Sequence, residues 1–384
     1  MLYLLENVPK LYYGALLGIG FCAYYLYEVV KTPLLVCADG PFRFFLEANI
    51  PLLRNKFWPT LWCFESRAQT IMASILRSRI WPLVEYRREI LTLSDGGEVA
   101  LDWAEKDCSA TSPIVIILPG LTGGSQAEYI KCLVSAARKI GMRCVIFNNR
   151  GLGGIKLKTP RTYCASNCDD LTEVIEHVRK LHSHIPLGAT GISLGGLILG
   201  NYLAQQGPTA KTKLKACLII SVPWNVFAAT KSTEENYFNL MLNKHLASNL
   251  RRKIQQHTTD IGHFNIDIDV LLKSQTIREF DSHFTAKHFG YKNVDEYYRD
   301  ATLHDKLHLI EVPTLCLSAA DDPFQPLQAI PLNEIRKSKT VAAVVTSRGG
   351  HIGFLEGFWP IKEEQYIGKF FLQFFESIFT KGFD

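Results

Sequence analysis

Residues 186–204 read PLGATGISLGGLILGNYLA. Pro186 to Thr190 is a short, mostly apolar run of strand length, and Leu197 to Ala204 reads as a helix with small residues on its near face. Between them Gly191-Ile192-Ser193-Leu194-Gly195 fits the pattern G-x-S-x-G. Five residues with three fixed positions recur by chance, so the context carries the information. A strand, a tight turn bearing serine and then a helix form a nucleophile elbow, which holds the hydroxyl exposed above a sheet. Glycines flank the serine because the turn is sharp and the two backbones approach closely. The plain alternative is a glycine-rich turn with a bystander serine, and the rest of the chain bears on that choice.

From Tyr86 onward the pattern is regular. Arg88–Leu93, the turn Ser94-Asp95-Gly96-Gly97 and Glu98–Trp103 predict a hairpin. Continuous apolar runs follow at Ile114–Leu118, Cys144–Phe147, Ala216–Ile220, Thr314–Leu317 and Val341–Val345, separated by helical stretches. Runs that are apolar on both faces and alternate with helices predict a parallel sheet covered on both sides. An antiparallel opening followed by such a series is the order of the α/β-hydrolase fold. Between Asn225 and about His304 the β signal stops, and some eighty polar, helical residues are predicted to form a lid.

A serine hydroxyl is a poor nucleophile at neutral pH and needs a base oriented by a carboxylate. In this fold the partners follow in the order serine, acid, histidine. Asp321 and Asp322 lie where the apolar strand beginning at Thr314 ends, so either can serve as the acid. Gapless alignment of that strand with the usual acid-bearing strand ending favours Asp322, with Asp321 as the alternative. Of eleven histidines, His351 alone sits just beyond a late strand, on the glycine-rich turn Arg348-Gly349-Gly350-His351. Charge developing on an acyl oxygen needs preorganised N–H donors. Leu194 supplies one because it follows Ser193, and Leu121, in the loop Pro119-Gly120-Leu121-Thr122-Gly123-Gly124, is the expected second.

A net charge of +5 on 384 residues is mild and argues against a nucleic-acid binder. No metal-ligand set, phosphate loop or dinucleotide fingerprint accompanies the candidate residues, so neither cofactor nor metal is expected. Ten cysteines lie scattered through the chain, and it holds no N-x-[ST] sequon; both lean toward a reducing setting. Leu11–Val30 is twenty residues with one charge, Glu28, bracketed by Lys10 and Lys31 and rich in tyrosine. That length predicts an N-terminal membrane-spanning anchor. Residues 41–81 then interleave Phe42, Phe44, Phe45, Phe57, Trp58, Trp62, Phe64 and Trp81 with Arg43, Arg54, Lys56, Arg67, Arg77 and Arg79. Such a stretch suits a membrane headgroup layer or an amphipathic arm packed on the catalytic domain. The predicted organisation is an anchor over 1–31, an aromatic and basic membrane-proximal arm over 32–85, and a hydrolase domain over 86–384 with a lid at about 225–305.

The pieces LPGLTGG (118–124), FNNRG (147–151), GISLGG (191–196), SAADDPF (318–324) and GGHIGFLEG (349–357) together resemble the membrane-anchored α/β-hydrolase domain-containing proteins 1, 2 and 3. The YheT-like hydrolases are more distant. The resemblance covers essentially the whole chain and falls nearest the 1/3 branch. It implies a serine lipid hydrolase on an endomembrane, acting on glycerolipids as a phospholipase, with phosphatidylcholine-type substrates favoured, or as a monoacylglycerol lipase. Ser193, Asp321 or Asp322, and His351 occupy the matching positions. Rival readings are a silent hydrolase-fold protein that binds a lipid or steroid, and a lipid acyltransferase.

Overall fold

Nine strands build one sheet: β1 (Leu34–Val36), β2 (Arg87–Thr92), β3 (Glu98–Ala104), β4 (Ile114–Leu118), β5 (Arg143–Asn148), β6 (Leu187–Ile192), β7 (Ala216–Ile220), β8 (Thr314–Ala319) and β9 (Val341–Thr346). Their order is β1-β9-β8-β7-β6-β4-β5-β3-β2. The computed structural model describes residues 10–257, 267–360 and 364–383. Strands β4 to β9 pair in parallel, whereas β2 pairs antiparallel with β3, and β3 with β5. Every residue of β4 to β9 is buried, as expected for parallel strands covered on both faces.

The alternation of side chains divides each apolar run between two cores. Ile114, Ile116 and Leu118 of β4 face Val174, Ile175, Leu199 and Leu203, from the helices Asp169–Leu181 and Leu194–Gln206. Val115 and Ile117 face Ile130, Leu133, Phe370 and Phe374, from the helices Glu128–Arg138 and Tyr366–Lys381. Each fully buried aliphatic or aromatic side chain contributes roughly 1.5–3 kcal/mol relative to exposure, so the two layers hold the strand ends in fixed register. In the centre, Leu118 lies opposite Gly191, and Ile192 opposite Ile220.

Between β7 and β8 the chain leaves the sheet. The helices Val226–Glu235, Tyr237–Gln255 and Val294–Ala301 and several shorter turns form an insert beside the carboxyl ends of the strands. Leu250, Ile254, Leu271, Phe280 and Phe284 of the insert form a small core with Leu157, from the loop after β5.

The spanning anchor expected over Leu11–Val30 is not supported by the fold. The α-helix runs Lys10–Tyr24 and passes into a single π-helical turn, Tyr25–Val29. Tyr25, Val29 and Val30 are buried, packing with Leu61 and Phe64, and the Tyr25 hydroxyl donates to the Pro59 carbonyl. Among the described residues, no helix is long and apolar enough to cross a membrane.

Residues 32–85 are built into the body of the molecule. Leu34–Val36 becomes the edge strand β1, antiparallel to β9; three residues are too few for periodicity to announce a strand. Phe42, Phe57, Trp81 and Arg77 are buried, while Phe44, Trp58 and Trp62 remain exposed. The helix Ser66–Ile80 is capped by Glu65, whose carboxylate accepts the amides of Arg67 and Ala68.

Candidate active site

Ser193 follows the last residue of β6 and precedes the helix Leu194–Gln206, at φ 52° and ψ −116°. A non-glycine residue held in that region costs of order 1–3 kcal/mol and persists only where its surroundings impose it. Here they do. The Ser193 amide donates to the Ile220 carbonyl at 2.9 Å, and a Cβ at Gly195 would overlap the Leu118 carbonyl. The sharp turn projects the hydroxyl above the carboxyl edge of the sheet.

The other predicted residues converge on that hydroxyl from two more strand ends. His351, beyond β9, has its Nε2 at 2.8 Å from Ser193 Oγ. Its Nδ1 lies 2.9 Å and 3.2 Å from the two carboxylate oxygens of Asp322, beyond β8. Asp322 is 5% exposed, and one of its oxygens also accepts the Phe324 amide at 2.8 Å. The Phe324 ring packs on the imidazole with centroids 4.6 Å apart. Serine, imidazole and carboxylate thus form one hydrogen-bonded line across the ends of β6, β9 and β8.

Asp321 points elsewhere. One of its oxygens accepts the Gly350 amide at 3.0 Å, and among the described residues the other has no partner. Burial pushes this carboxyl up to about 6, with the Gly350 amide and the nearby Arg348 charge pulling the other way. In the unfolded chain an aspartate titrates near 3.9. Below about pH 4 both states hold the proton, so the site costs nothing. As pH rises toward 6 the unfolded chain releases its proton first, and the folded state becomes progressively less favoured. Asp321→Asn is therefore expected to melt higher than the parent at pH 7.5, with the advantage shrinking toward pH 4. A pH-independent loss of thermal midpoint on this substitution would show that the carboxylate is stabilising instead.

Leu194 and Leu121, the expected N–H donors, both line the cavity at Ser193. The Leu194 amide opens the helix Leu194–Gln206, where backbone donors lack intrahelical partners. The Leu121 loop is held by Tyr129, whose hydroxyl accepts the Gly120 amide at 2.9 Å, and burial raises that phenol above its ordinary range. Among the described residues no group of three or more His, Cys, Asp or Glu is arranged to hold a metal.

The segment 113–358 matches the family described as alpha/beta hydrolase fold. Phospholipase ABHD3 of Bos taurus is 42% identical over 95% of this chain and 89% of the bovine protein. The chain belongs to the α/β-hydrolase domain-containing family. Another member, Monoacylglycerol lipase ABHD2 of Bos taurus, is 27% identical over 85% of this chain and 80% of its own length. Among solved structures, serine hydrolase CCSP0084 from Cycloclasticus zankles shares the fold with a TM-score of 0.50 at 16% identity, covering 77% of this chain and 99% of that one.

This family member also holds its histidine loop with residues to which the sequence alone gives no such role. The His351 amide donates to Thr70 Oγ1 at 2.9 Å, and the Ile352 amide to Ser221 Oγ at 3.1 Å. Arg77 is 1% exposed and donates to the Ile352 carbonyl at 2.7 Å and to the Gly353 carbonyl. Gly350 sits at φ +57°, where a Cβ would strike the Ser66 carbonyl. The helix Ser66–Ile80, which reads as an aromatic and basic arm, therefore backs the histidine turn. Its partners lie some 275 residues away, and no linear pattern connects segments so far apart.

Proposed function

We propose that this chain is a serine lipid hydrolase that cleaves carboxylic esters of glycerolipids, with Ser193 as nucleophile, His351 as base and then acid, and Asp322 as the orienting carboxylate. The observation that carries the reading is the hydrogen-bonded line from Ser193 Oγ through His351 to Asp322, opening on an apolar cavity. Ser193 Oγ attacks the acyl carbon while its proton passes to His351 Nε2. The amides of Leu121 and Leu194 hold the negative oxygen of the tetrahedral intermediate. Its collapse breaks the bond to the alcohol oxygen, which takes the proton from His351 and departs. Water then attacks the acyl-serine with His351 again accepting the proton, and fatty acid and free Ser193 result. The consumed ester and water balance the released acid and alcohol.

Between lipid classes, a phospholipase acting on phosphatidylcholine-type substrates is favoured over a monoacylglycerol lipase, since the relative named as a phospholipase is 42% identical and the one named as a monoacylglycerol lipase 27%. The insert between β7 and β8 serves as the lid over the acyl chain. Contact with a lipid surface is supported by exposed Trp58, Trp62, Phe358 and Trp359, with the rings of Trp62 and Trp359 5.8 Å apart. Incubated with phosphatidylcholine vesicles, the protein should release fatty acid and lysophospholipid, and replacing Trp62 and Trp359 together by alanine should lower its co-sedimentation with them. Turnover of short soluble esters with none of any glycerolipid would overturn the lipid assignment, and unchanged co-sedimentation would remove the tryptophan patch from it.

A further inference from the structure

Two separate hollows meet at the Ser193 hydroxyl. One, of about 180 Å³, runs under the helical insert; the other, of about 610 Å³, opens between the helices Ser66–Ile80 and Tyr237–Gln255. Leu121, Leu246 and Phe324, with Ser193 and His351 themselves, line both. An ester has two arms, an acyl chain and an alcohol, and both leave the same reacting carbon. Both hollows are mainly apolar, and the second carries the larger share of polar groups.

The cavity under the insert is walled mainly by apolar side chains, including Leu157, Leu197, Val226, Leu250, Ile254 and Phe284. Lys253 also borders it, and the two other charged side chains on its wall, Asp281 and Arg150, are already engaged. The Asp281 carboxylate accepts from Thr285 Oγ1 at 2.6 Å and Tyr298 OH at 3.0 Å, and the Arg150 guanidinium is held by Asp170 and Asp95. A polar ligand placed there would lose its hydration with little in return, at a cost of roughly 1–3 kcal/mol for each unsatisfied group, whereas a hydrocarbon chain loses nothing. The second cleft carries Ser74, Thr122, Glu128, His245 and Asn249 beside its apolar wall. Asn249 Nδ2 and His245 Nε2 lie 3.2 Å apart on one side, and Ser74 is exposed on the other.

The geometry points to a divided substrate site: the acyl chain enters the cavity under the insert, and the glycerol-bearing alcohol portion occupies the cleft between the helices Ser66–Ile80 and Tyr237–Gln255. This assignment rests on the serine-ester reading above. It gives the arm helix a second role, as one wall of the alcohol subsite as well as the backing of the histidine loop. The cleft is then also the way out for the alcohol while the acyl group remains on Ser193.

The test compares three esters in detergent micelles: methyl butyrate, methyl palmitate, and dipalmitoyl phosphatidylcholine. Cleft walls are thickened by Ser74→Trp or, on the opposite helix, Asn249→Trp. The cavity is filled by Ala229→Trp or Val226→Trp, all four positions being at least partly exposed. Ratios of kcat/KM between esters within each variant cancel any loss of active protein. Cleft variants should lower the phosphatidylcholine-to-methyl palmitate ratio about tenfold or more, and cavity variants the methyl palmitate-to-methyl butyrate ratio by a similar factor. The reverse pairing, or cleft variants with an unaltered phosphatidylcholine-to-methyl palmitate ratio, would overturn the division. Failure of the parent protein to hydrolyse any of the three, with no fluorophosphonate labelling of Ser193, would instead overturn the serine-ester reading.

Discussion

Ser193→Ala is expected to abolish fluorophosphonate labelling and to lower kcat on lipid esters by on the order of 10⁶, because loss of the nucleophile alone costs about as much as loss of a whole serine-histidine-aspartate unit. Substrate binding and the proposed donor amides of Leu121 and Leu194 account for the residual rate expected. The effect should be confined to chemistry. Alanine retains the Cβ, so the backbone at φ 52° stays under the same constraint, imposed by the Ser193 amide on the Ile220 carbonyl and by the close approach of Gly195 to Leu118. The variant should therefore melt with the parent while losing turnover. Comparable hydrolysis of a lipid ester by a correctly folded Ser193→Ala protein would sink the mechanism.

The second large effect separates two adjacent carboxylates. Asp322 lies 2.9 Å from His351 Nδ1, on the side of the ring opposite Ser193. Ionised, it fixes the tautomer that leaves Nε2 free to accept the serine proton, and it stabilises the imidazolium formed on transfer. An asparagine there can present its amide N–H to Nδ1 and select the wrong tautomer, a change that costs about 10⁴ in kcat in the serine-protease arrangement. Asp322→Asn is thus expected to lose about that factor. Asp321 touches the Gly350 amide rather than the ring, and an asparagine oxygen can still accept that bond, so Asp321→Asn should lose no more than about tenfold on the same scale. Steady-state kinetics on one soluble ester decides it; equal or reversed losses would move the orienting role to Asp321.

Much of the fold was legible because the interactions that make it are local or periodic. The apolar runs at Ile114, Cys144, Ala216, Thr314 and Val341 each became a fully buried parallel strand, since Val, Ile and Leu on both faces have no stable alternative in water. The break in that pattern after Asn225 became the helical insert. Strand β1 was invisible, because Leu34–Val36 is defined only by the β9 backbone it pairs with. Leu11–Val30 shows a related limit of local reading. Its hydropathy is that of a spanning segment, but the burial of Tyr25, Val29 and Val30 depends on Leu61 and Phe64, and no window confined to residues 11–30 contains that partner.

The same division runs through the candidate site. By itself the sequence determined that a serine stands between a strand and a helix, that acid and histidine follow two later strands, and that glycine-rich turns adjoin them, because turn chemistry and apolar runs act over a few residues. Only the tertiary structure decided that Asp322 rather than Asp321 faces His351, since both lie in the turn beyond Ala319, where the Gly350 amide holds Asp321 and leaves Asp322 to the ring. Only it brought Thr70 and Arg77 against the histidine loop, and set an apolar cavity and a second cleft with polar groups on its wall on two sides of one hydroxyl. These are contacts between segments hundreds of residues apart. They are made by packing, and packing follows from the register and crossing of whole elements rather than from any local pattern of residues.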